Sequence, residues 1–146
     1  MKSLIVYDSV YGNTEKIAKS IGDAIAGDVK LLRIGEISHS NLESVDLLIV
    51  GSPTHGGRPT PAIQEFLNKV SDSTVRGINV AAFDTRYSTR LVKIFGYAAE
   101  KISGSLKAKG GTLILPPGGF FVKGRKGPLK EGEIERAARW AKEIAK

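Results

Sequence analysis

A short hydroxyl-rich loop near the start of the chain has the residue types of an anion-binding site. It comprises Ser9, Val10, Tyr11, Gly12, Asn13 and Thr14. The loop lies between an apolar run at residues 4–7 and a helix-patterned segment that starts near Glu15. Because the first N–H groups of a helix lack intrahelical acceptors and the helix dipole adds partial positive charge, this position can hold a phosphate. An ordinary turn with a helix cap at Asn13 or Thr14 fits equally well, so the loop alone leaves both interpretations open.

Two further loops carry polar, aromatic and glycine residues at the ends of predicted strands. The first spans residues 52–60, and its candidate ligand contacts are Pro53, Thr54, His55, Gly56 and Gly57. The second spans residues 84–88, and its candidate contacts are Asp84, Thr85, Arg86 and Tyr87. Neither loop contains a Ser/His/Asp arrangement or paired carboxylates. The residues therefore favour a site that holds a flat, phosphorylated ligand, with His55 as a neighbour of that ligand rather than a catalytic base.

Strand and helix patterns alternate along the chain and position these loops. Apolar runs predict strands at residues 2–8, 28–34, 46–51, 78–83 and 112–115, the last resuming at 120–122. Helical spacing predicts helices at 14–26, after Thr60-Pro61, at about 89–108 and at about 131–145, with Ile134, Ala137, Ala138, Ala141 and Ile144 facing inward on the last. This alternation is typical of an α/β fold with a doubly wound, five-stranded parallel sheet and helices on both faces. The ligand crevice of such a sheet lies at the carboxyl ends of its strands, so the three loops should meet there.

Composition limits the classes of function. A chain of 146 residues suits one domain with a sizeable core, and the absence of cysteine excludes disulfides, thiolate chemistry and Cys-ligated metals. No apolar run approaches the roughly 20 residues that span a bilayer. The N-terminus leads directly into a strand-like run without a signal-peptide pattern, so we expect a cytoplasmic protein without a membrane span.

The net charge of +7 is unevenly distributed. Residues 1–85 carry 8 Lys/Arg and 10 Asp/Glu, whereas residues 86–146 carry 14 Lys/Arg and 5 Asp/Glu. This asymmetry indicates an anionic partner or substrate, although a solvated basic surface is the simpler alternative. Zinc-finger spacing, a GXXG clamp and interleaved aromatic residues are all missing from the sequence, so nucleic acid is not the expected partner. The cluster at residues 123–126 is expected to be a mobile basic loop.

Three stretches of the sequence resemble flavodoxins. Residues 9–14 resemble the hydroxyl-rich FMN phosphate loop, which often ends in Gly-Asn-Thr, and residues 51–57 resemble the loop on the inner side of the isoalloxazine ring. Residues 122–133 are similar to the stretch that leads into the last helix of flavodoxin-like domains, including those of A-type flavoproteins. The resemblance covers the whole chain. It implies a single short-chain flavodoxin-like, FMN-binding domain at residues 1–146, with strand order 2-1-3-4-5.

The resemblance also implies how FMN would be held. The phosphate would take the N–H groups of residues 10–14 and the hydroxyls of Ser9 and Thr14, and the ring would lie between residues 53–57 and 84–88. In the family, a peptide flip at a glycine beside flavin N5 accompanies one-electron chemistry, and Gly56-Gly57 would permit it. The chain departs from the family at Asp8, which we expect to face away from the phosphate, and in its basic character.

The implied function is electron transfer, carrying one or two electrons between redox partners, rather than stand-alone catalysis. The partner would be a protein, acidic in character, or NAD(P)H. Cations at Arg58, Arg86 and Arg90 would raise the hydroquinone potential above that of acidic flavodoxins. An FMN-dependent NAD(P)H:quinone-type reductase is the alternative of the same fold. A non-flavin interaction or signalling domain is the alternative of another class: Asp8 suits a receiver domain, but Ser52-Pro53 replaces its phosphoacceptor Asp.

Overall fold

The computed structural model describes residues 1–87 and 96–145. Its strands are β1 (Lys2–Tyr7), β2 (Asp28–Arg33), β3 (Leu47–Pro53), β4 (Asn79–Arg86), β5 (Thr112–Leu113) and β6 (Gly118–Phe121). Its α-helices are α1 (Asn13–Ala24), α2 (Pro61–Lys69), α3 (Asp72–Val75), α4 (Ala98–Ala108) and α5 (Glu133–Lys142). Short 3₁₀ segments occupy Ile34–Glu36, His39–Leu42 and Glu143–Ala145. In the described ranges, no helix is both long enough and apolar enough to traverse a bilayer.

The strands form one parallel sheet in the order β2-β1-β3-β4-β5, and β6 also pairs with β4. This confirms the predicted doubly wound α/β fold. Every residue of β3 is buried, as expected for a strand with helices on both faces. Because successive side chains point to opposite faces, Leu48 and Val50 pack in one core cluster with α2 and α4, while Leu47 and Ile49 pack in the other with α1 and α5.

The structure extends β3 and β4 beyond their predicted ends. Ser52 pairs with Asp84 and Pro53 with Thr85, and β4 continues beside β6 as far as Arg86. The prediction that Asp84, Thr85 and Arg86 belong to a loop is therefore wrong. Polar residues at a strand end look like a loop in the sequence, but here the β3–β4–β6 ladder fixes their backbone.

The last strand and last helix differ from the prediction in detail. The interrupted strand is present as β5 and β6, separated by Pro116 and Pro117, whose nitrogens cannot donate to a ladder. On α5, Ala137 and Ala141 are buried, but Ile134 is 44% exposed, which corrects its inward assignment. Glu133 takes the inward position one turn before Ala137, because residues four apart share a helix face. Of the predicted helix at 89–108, residues 89–95 lie outside the described residues.

We predict that Gly51→Ala destabilises the fold strongly. A Cβ on Gly51 would lie 2.0 Å from Cζ of Phe83, a fully buried ring that has no space to move. Overpacking of this kind costs about 1–3 kcal/mol or more. Urea denaturation of the apoprotein measures it.

Gly104→Ala is the matched control, because a Cβ there meets nothing within 4 Å and lies inside α4. It should stabilise the protein by about 0.5–1 kcal/mol, through the higher helix propensity of alanine. Similar urea midpoints for the two variants would contradict this account of the core.

Candidate functional site

The carboxyl ends of β1, β3 and β4 bring the three predicted segments into contact. The N–H of Asp8 donates to the carbonyl of Gly51 at 3.1 Å, and the N–H of Thr54 donates to the carbonyl of Thr85 at 2.9 Å. The hydroxyls of Thr14 and Thr85 share a buried hydrogen bond of 2.8 Å. One edge of the sheet therefore carries all three candidate segments, as the strand pattern predicts.

The 9–14 loop has the backbone geometry of an anion site. Gly12 precedes α1 with a φ of 90°, and the Ser9 hydroxyl accepts hydrogen bonds from the N–H groups of Gly12 (3.1 Å) and Glu15 (3.3 Å). Within the 9–14 loop, the N–H groups of Val10, Tyr11, Asn13 and Thr14 find no acceptor among the described residues. Unpaired donors in a loop at a helix N-terminus favour a phosphate over an ordinary capped turn, and neither Asn13 nor Thr14 is the N-cap residue, which is Gly12.

Arg33, at the end of β2, holds this loop from outside. Its Nη1 donates to the carbonyl of Ser9 at 2.9 Å, and its Nη2 donates to Glu15 Oε2 at 3.0 Å. Tyr7 also donates to Glu15 Oε2, at 2.8 Å, and this bond is the largest influence lowering the pKa of Glu15. Sequence reasoning missed Arg33. The predicted strand order contained the signal, because it places the ends of β1 and β2 side by side, with Tyr7 opposite Arg33.

Asp8 binds the first residue of the loop, and its orientation away from the phosphate stays a prediction. Its Oδ1 accepts the N–H of Ser9 at 2.9 Å, so it caps the first residue of the loop. The Asp8 carboxylate also influences the pKa of His55. Burial lowers the pKa of His55, Arg125 lowers it further, and Asp8 opposes both to a smaller extent. His55 is therefore neutral at pH 7, which suits a neighbour of a ligand ring better than a charged contact.

Residues 55–58 form a tight turn with backbone bonds in both directions between His55 and Arg58, at 2.9 and 3.1 Å. Gly56 and Gly57 have φ values of 58° and 79°, as a type I′ turn requires of its two central residues. Lys101 on α4 donates to the carbonyl of Gly57 at 2.5 Å. Sequence reasoning missed this contact, because the two residues are 44 positions apart.

Thr54, Asp84 and Arg86 attach α4 to the sheet. The N–H of Ala98 donates to the Thr54 hydroxyl and that of Ala99 donates to Asp84 Oδ2, each at 2.9 Å. Arg86 binds the fully buried Asp84 carboxylate through Nε and Nη2, both at 2.8 Å. Burial raises the pKa of Asp84, while the bonds from Arg86 and Ala99 act in the opposite direction. These side chains are engaged within the protein, so their contact with a ligand stays a prediction.

The sequence suggests Arg86 as a cation beside the ligand ring, but in the structure carboxylates neutralise its charge. Besides Asp84, it contacts Glu100 at 3.4 Å, and its guanidinium lies 3.5 Å from the centre of the Tyr97 ring. Arg58 is exposed and, among the described residues, has no carboxylate partner. Ser88 and Arg90 lie outside the described residues.

Large apolar side chains are exposed around the same edge of the sheet. Val10 is 54% exposed, Tyr11 45% and Tyr87 44%, and all three are candidate contacts. Pro53 is buried in β3. Exposed apolar side chains gathered on one edge indicate a surface that binds a ligand or a partner.

The family model for flavodoxin matches residues 5–140. The chain belongs to the flavodoxin family. An uncharacterised protein of Methanocaldococcus jannaschii is 31% identical, with 100% of this chain and 99% of that protein covered, and a flavodoxin of Klebsiella pneumoniae is 26% identical, with 97% and 91% covered. The structure of a flavodoxin from the domain Archaea superposes with a TM-score of 0.82 at 22% identity, covering 99% of this chain and 96% of that one, which shows the shared fold.

Flavodoxins bind FMN, and the residues of this chain fit that cofactor. The unpaired N–H groups of the 9–14 loop suit its phosphate, and the exposed rings of Tyr11 and Tyr87 and the neutral His55 suit its flat ring. FMN-dependent electron transfer is the function of the family, and it needs no acid–base residue from the protein at this edge.

We predict that Arg33→Ala weakens FMN binding about 10-fold. The change removes the bond that fixes the Ser9 carbonyl and one of the two bonds to Glu15 Oε2, and hydrogen bonds to charged groups contribute about 1.5–3 kcal/mol. Titration of the apoprotein with FMN, followed by flavin fluorescence, gives the dissociation constant. Lys30→Ala removes one exposed cation from the same strand and should leave that constant within about 2-fold. An equal loss in both variants would show that only net charge matters.

We predict that Arg86→Met destabilises the protein by about 3–5 kcal/mol at pH 7, because it leaves the Asp84 carboxylate buried without its counter-ion. In that variant the pKa of Asp84 lies above its unfolded value, so the folded state binds more protons than the unfolded state. The difference from the parent protein should therefore shrink as pH falls from 7 to 5. Urea midpoints across this range measure it. Glu100→Gln, at a half-exposed partner of the same arginine, should change stability by less than about 1 kcal/mol. A pH-independent effect of Arg86→Met would refute the assignment.

Proposed function

We propose that this flavodoxin holds FMN non-covalently at the carboxyl ends of β1, β3 and β4 and carries one or two electrons between redox proteins. The observation that carries the proposal is the set of unpaired N–H groups in the 9–14 loop, next to the 55–58 turn. A protein that carries electrons in this way belongs among the oxidoreductases. The absence of cysteine is in keeping with a cytoplasmic protein.

In this proposal the chain binds and orients the cofactor, which supplies the redox chemistry. The unpaired N–H groups of the 9–14 loop and the Ser9 hydroxyl would face the phosphate. The Thr14 hydroxyl already bonds that of Thr85, so it would join the phosphate site through its second hydrogen-bonding position. His55 and Tyr87 would lie against the ring. Gly56 and Gly57 would let the peptide between them rotate as the redox state changes.

The electrostatic surroundings favour a higher hydroquinone potential than in acidic flavodoxins. Arg86 contributes little, because carboxylates neutralise it. Arg58 and Arg125 are exposed cations, and the charge of Arg125 is felt at His55. Positive charge near a reduced, anionic flavin stabilises that form. The same cations would favour an acidic protein partner.

A reductase that takes hydride from NAD(P)H is the second candidate function. The exposed cations Arg58 and Arg125 favour it, because they would equally suit the phosphates of a nicotinamide nucleotide. The two functions share the cofactor and the fold, so they differ only in what reacts directly with the reduced or oxidised flavin.

We predict that the purified protein is yellow, shows the absorption maxima of oxidised flavin and releases FMN on denaturation. Redox titration should give a hydroquinone couple above that of an acidic flavodoxin measured alongside. A colourless protein that does not bind added FMN would overturn the proposed function and leave the non-flavin interaction domain. Mixing with NADH or NADPH separates the two flavin functions: persistence of the flavin absorbance supports the carrier, and rapid bleaching without a partner protein supports the reductase.

A further inference from the structure

Residues 122–129 form a hairpin with a basic tip, here called the basic hairpin. Val122 and Leu129 face each other as an antiparallel bridge, and the N–H of Lys123 donates to the carbonyl of Pro128 at 2.8 Å. Within the turn, the N–H of Gly127 donates to the carbonyl of Gly124 at 3.0 Å. The cluster that the sequence suggested as a mobile basic loop thus has a defined backbone. Its three cations are Lys123, Arg125 and Lys126, and all are exposed.

The basic hairpin is anchored to the proposed phosphate site. Asn13 Nδ2 donates to the carbonyl of Lys126 at 3.2 Å. Gly127 lies so close to Asn13 that a Cβ there would be 2.6 Å from the same nitrogen. Since Asn13 belongs to the 9–14 loop and is the first residue of α1, this contact holds the cations at the edge of the proposed cofactor site.

The charges of the basic hairpin are available to a partner. Arg86, Lys109 and Arg136 form ion pairs within the fold. Among the described residues, Lys123, Arg125 and Lys126 have no carboxylate partner. The basic hairpin therefore presents three exposed cations whose charges are not neutralised by an ion pair with a described residue.

The surroundings favour a protein surface over a small nucleotide. Val10, Tyr11 and Tyr87 expose about half of their surfaces on the same edge. A small anion needs only the cations, whereas a protein interface combines apolar and aromatic contacts with a charged rim. The combination of exposed aromatic side chains and an anchored basic rim is the arrangement of a docking surface.

We propose that the basic hairpin is the docking surface for an acidic protein redox partner, which it holds against the exposed edge of the cofactor site. This inference rests on the proposed function for its electron-transfer role. Docking by charge draws an acidic surface toward the flavin, raises the association rate and weakens with salt.

The test uses fluorescein-labelled poly-L-glutamate as an anionic polypeptide and follows its anisotropy at low salt. The triple variant Lys123→Gln/Arg125→Gln/Lys126→Gln should weaken binding at least 10-fold. Lys107→Gln/Arg139→Gln/Lys142→Gln is the matched control. It removes the same charge from exposed positions toward the C-terminal ends of α4 and α5, at the opposite edge of the sheet, and should change binding less than 3-fold. Equal losses of affinity in the two variants would overturn the proposal, because they would show that binding depends only on the net charge of the protein.

A second readout relates the surface to the cofactor. Two ferricyanide ions oxidise one fully reduced flavin, each taking one electron, with the released proton passing to the buffer. Poly-L-glutamate should slow this oxidation in the parent protein and not in the hairpin variant. Protection by NADP⁺ that equals protection by poly-L-glutamate would overturn the protein assignment in favour of a nucleotide. Because anisotropy needs no flavin, a protein that fails to bind FMN but still binds the polypeptide through the hairpin would refute the proposed function and keep the docking surface.

Discussion

The buried ion pair of Asp84 and Arg86 fixes one side of the proposed cofactor site. Removing these charges from water costs several kcal/mol per ion, and only a complete set of hydrogen bonds offsets that cost. Asp84 meets the condition with two bonds from Arg86 and one from the N–H of Ala99. Arg86 in turn lies against Gly119, where a Cβ would be 2.2 Å from the guanidinium carbon. The pair therefore joins β4, β6 and α4, and it requires a glycine in β6.

Thr85, which lies between Asp84 and Arg86 in the sequence, makes the corresponding contact on the other face of the sheet. Side chains alternate along a strand, so Thr85 points opposite to Asp84 and Arg86. Its hydroxyl bonds that of Thr14 on α1. Three consecutive residues thus hold α4 from one face and α1 from the other. The same segment of β4 thus positions α1, which follows the proposed phosphate loop, and α4, which holds the 55–58 turn through Lys101.

Local patterns in the sequence predicted the alternating strands and helices and the meeting of three polar segments at one edge of the sheet, and the family resemblance supplied the strand order. Contacts between residues distant in sequence could not be predicted in this way. Apolar runs and helix caps depend only on residues close in sequence, so they predict β3 and the start of α2 correctly. Arg33 acts on a carbonyl 24 residues away, and its role depends on the β1–β2 register. The sequence places Asp84 and Arg86 in a loop for a related reason. It shows two charged residues, and only the folded strand shows that they neutralise each other. The same limit applies to the basic residues 86–146. Their excess of Lys and Arg over Asp and Glu does not reveal which cations form ion pairs within the fold.

The 55–58 turn combines an anchored carbonyl with a neighbouring peptide that has no hydrogen-bond partner among the described residues. Lys101 holds the carbonyl of Gly57, which belongs to the peptide between residues 57 and 58. In the described part of the chain, the carbonyl of Gly56 and the N–H of Gly57 have no partner. Rotating that peptide converts a type I′ turn into type II′, which keeps a positive φ at Gly56 and makes φ at Gly57 negative. A glycine at position 57 accepts both values, and the bond from Lys101 constrains only the next peptide. The anchored peptide and the peptide without a partner are thus adjacent, so the proposed rotation would leave the bond from Lys101 to the turn in place.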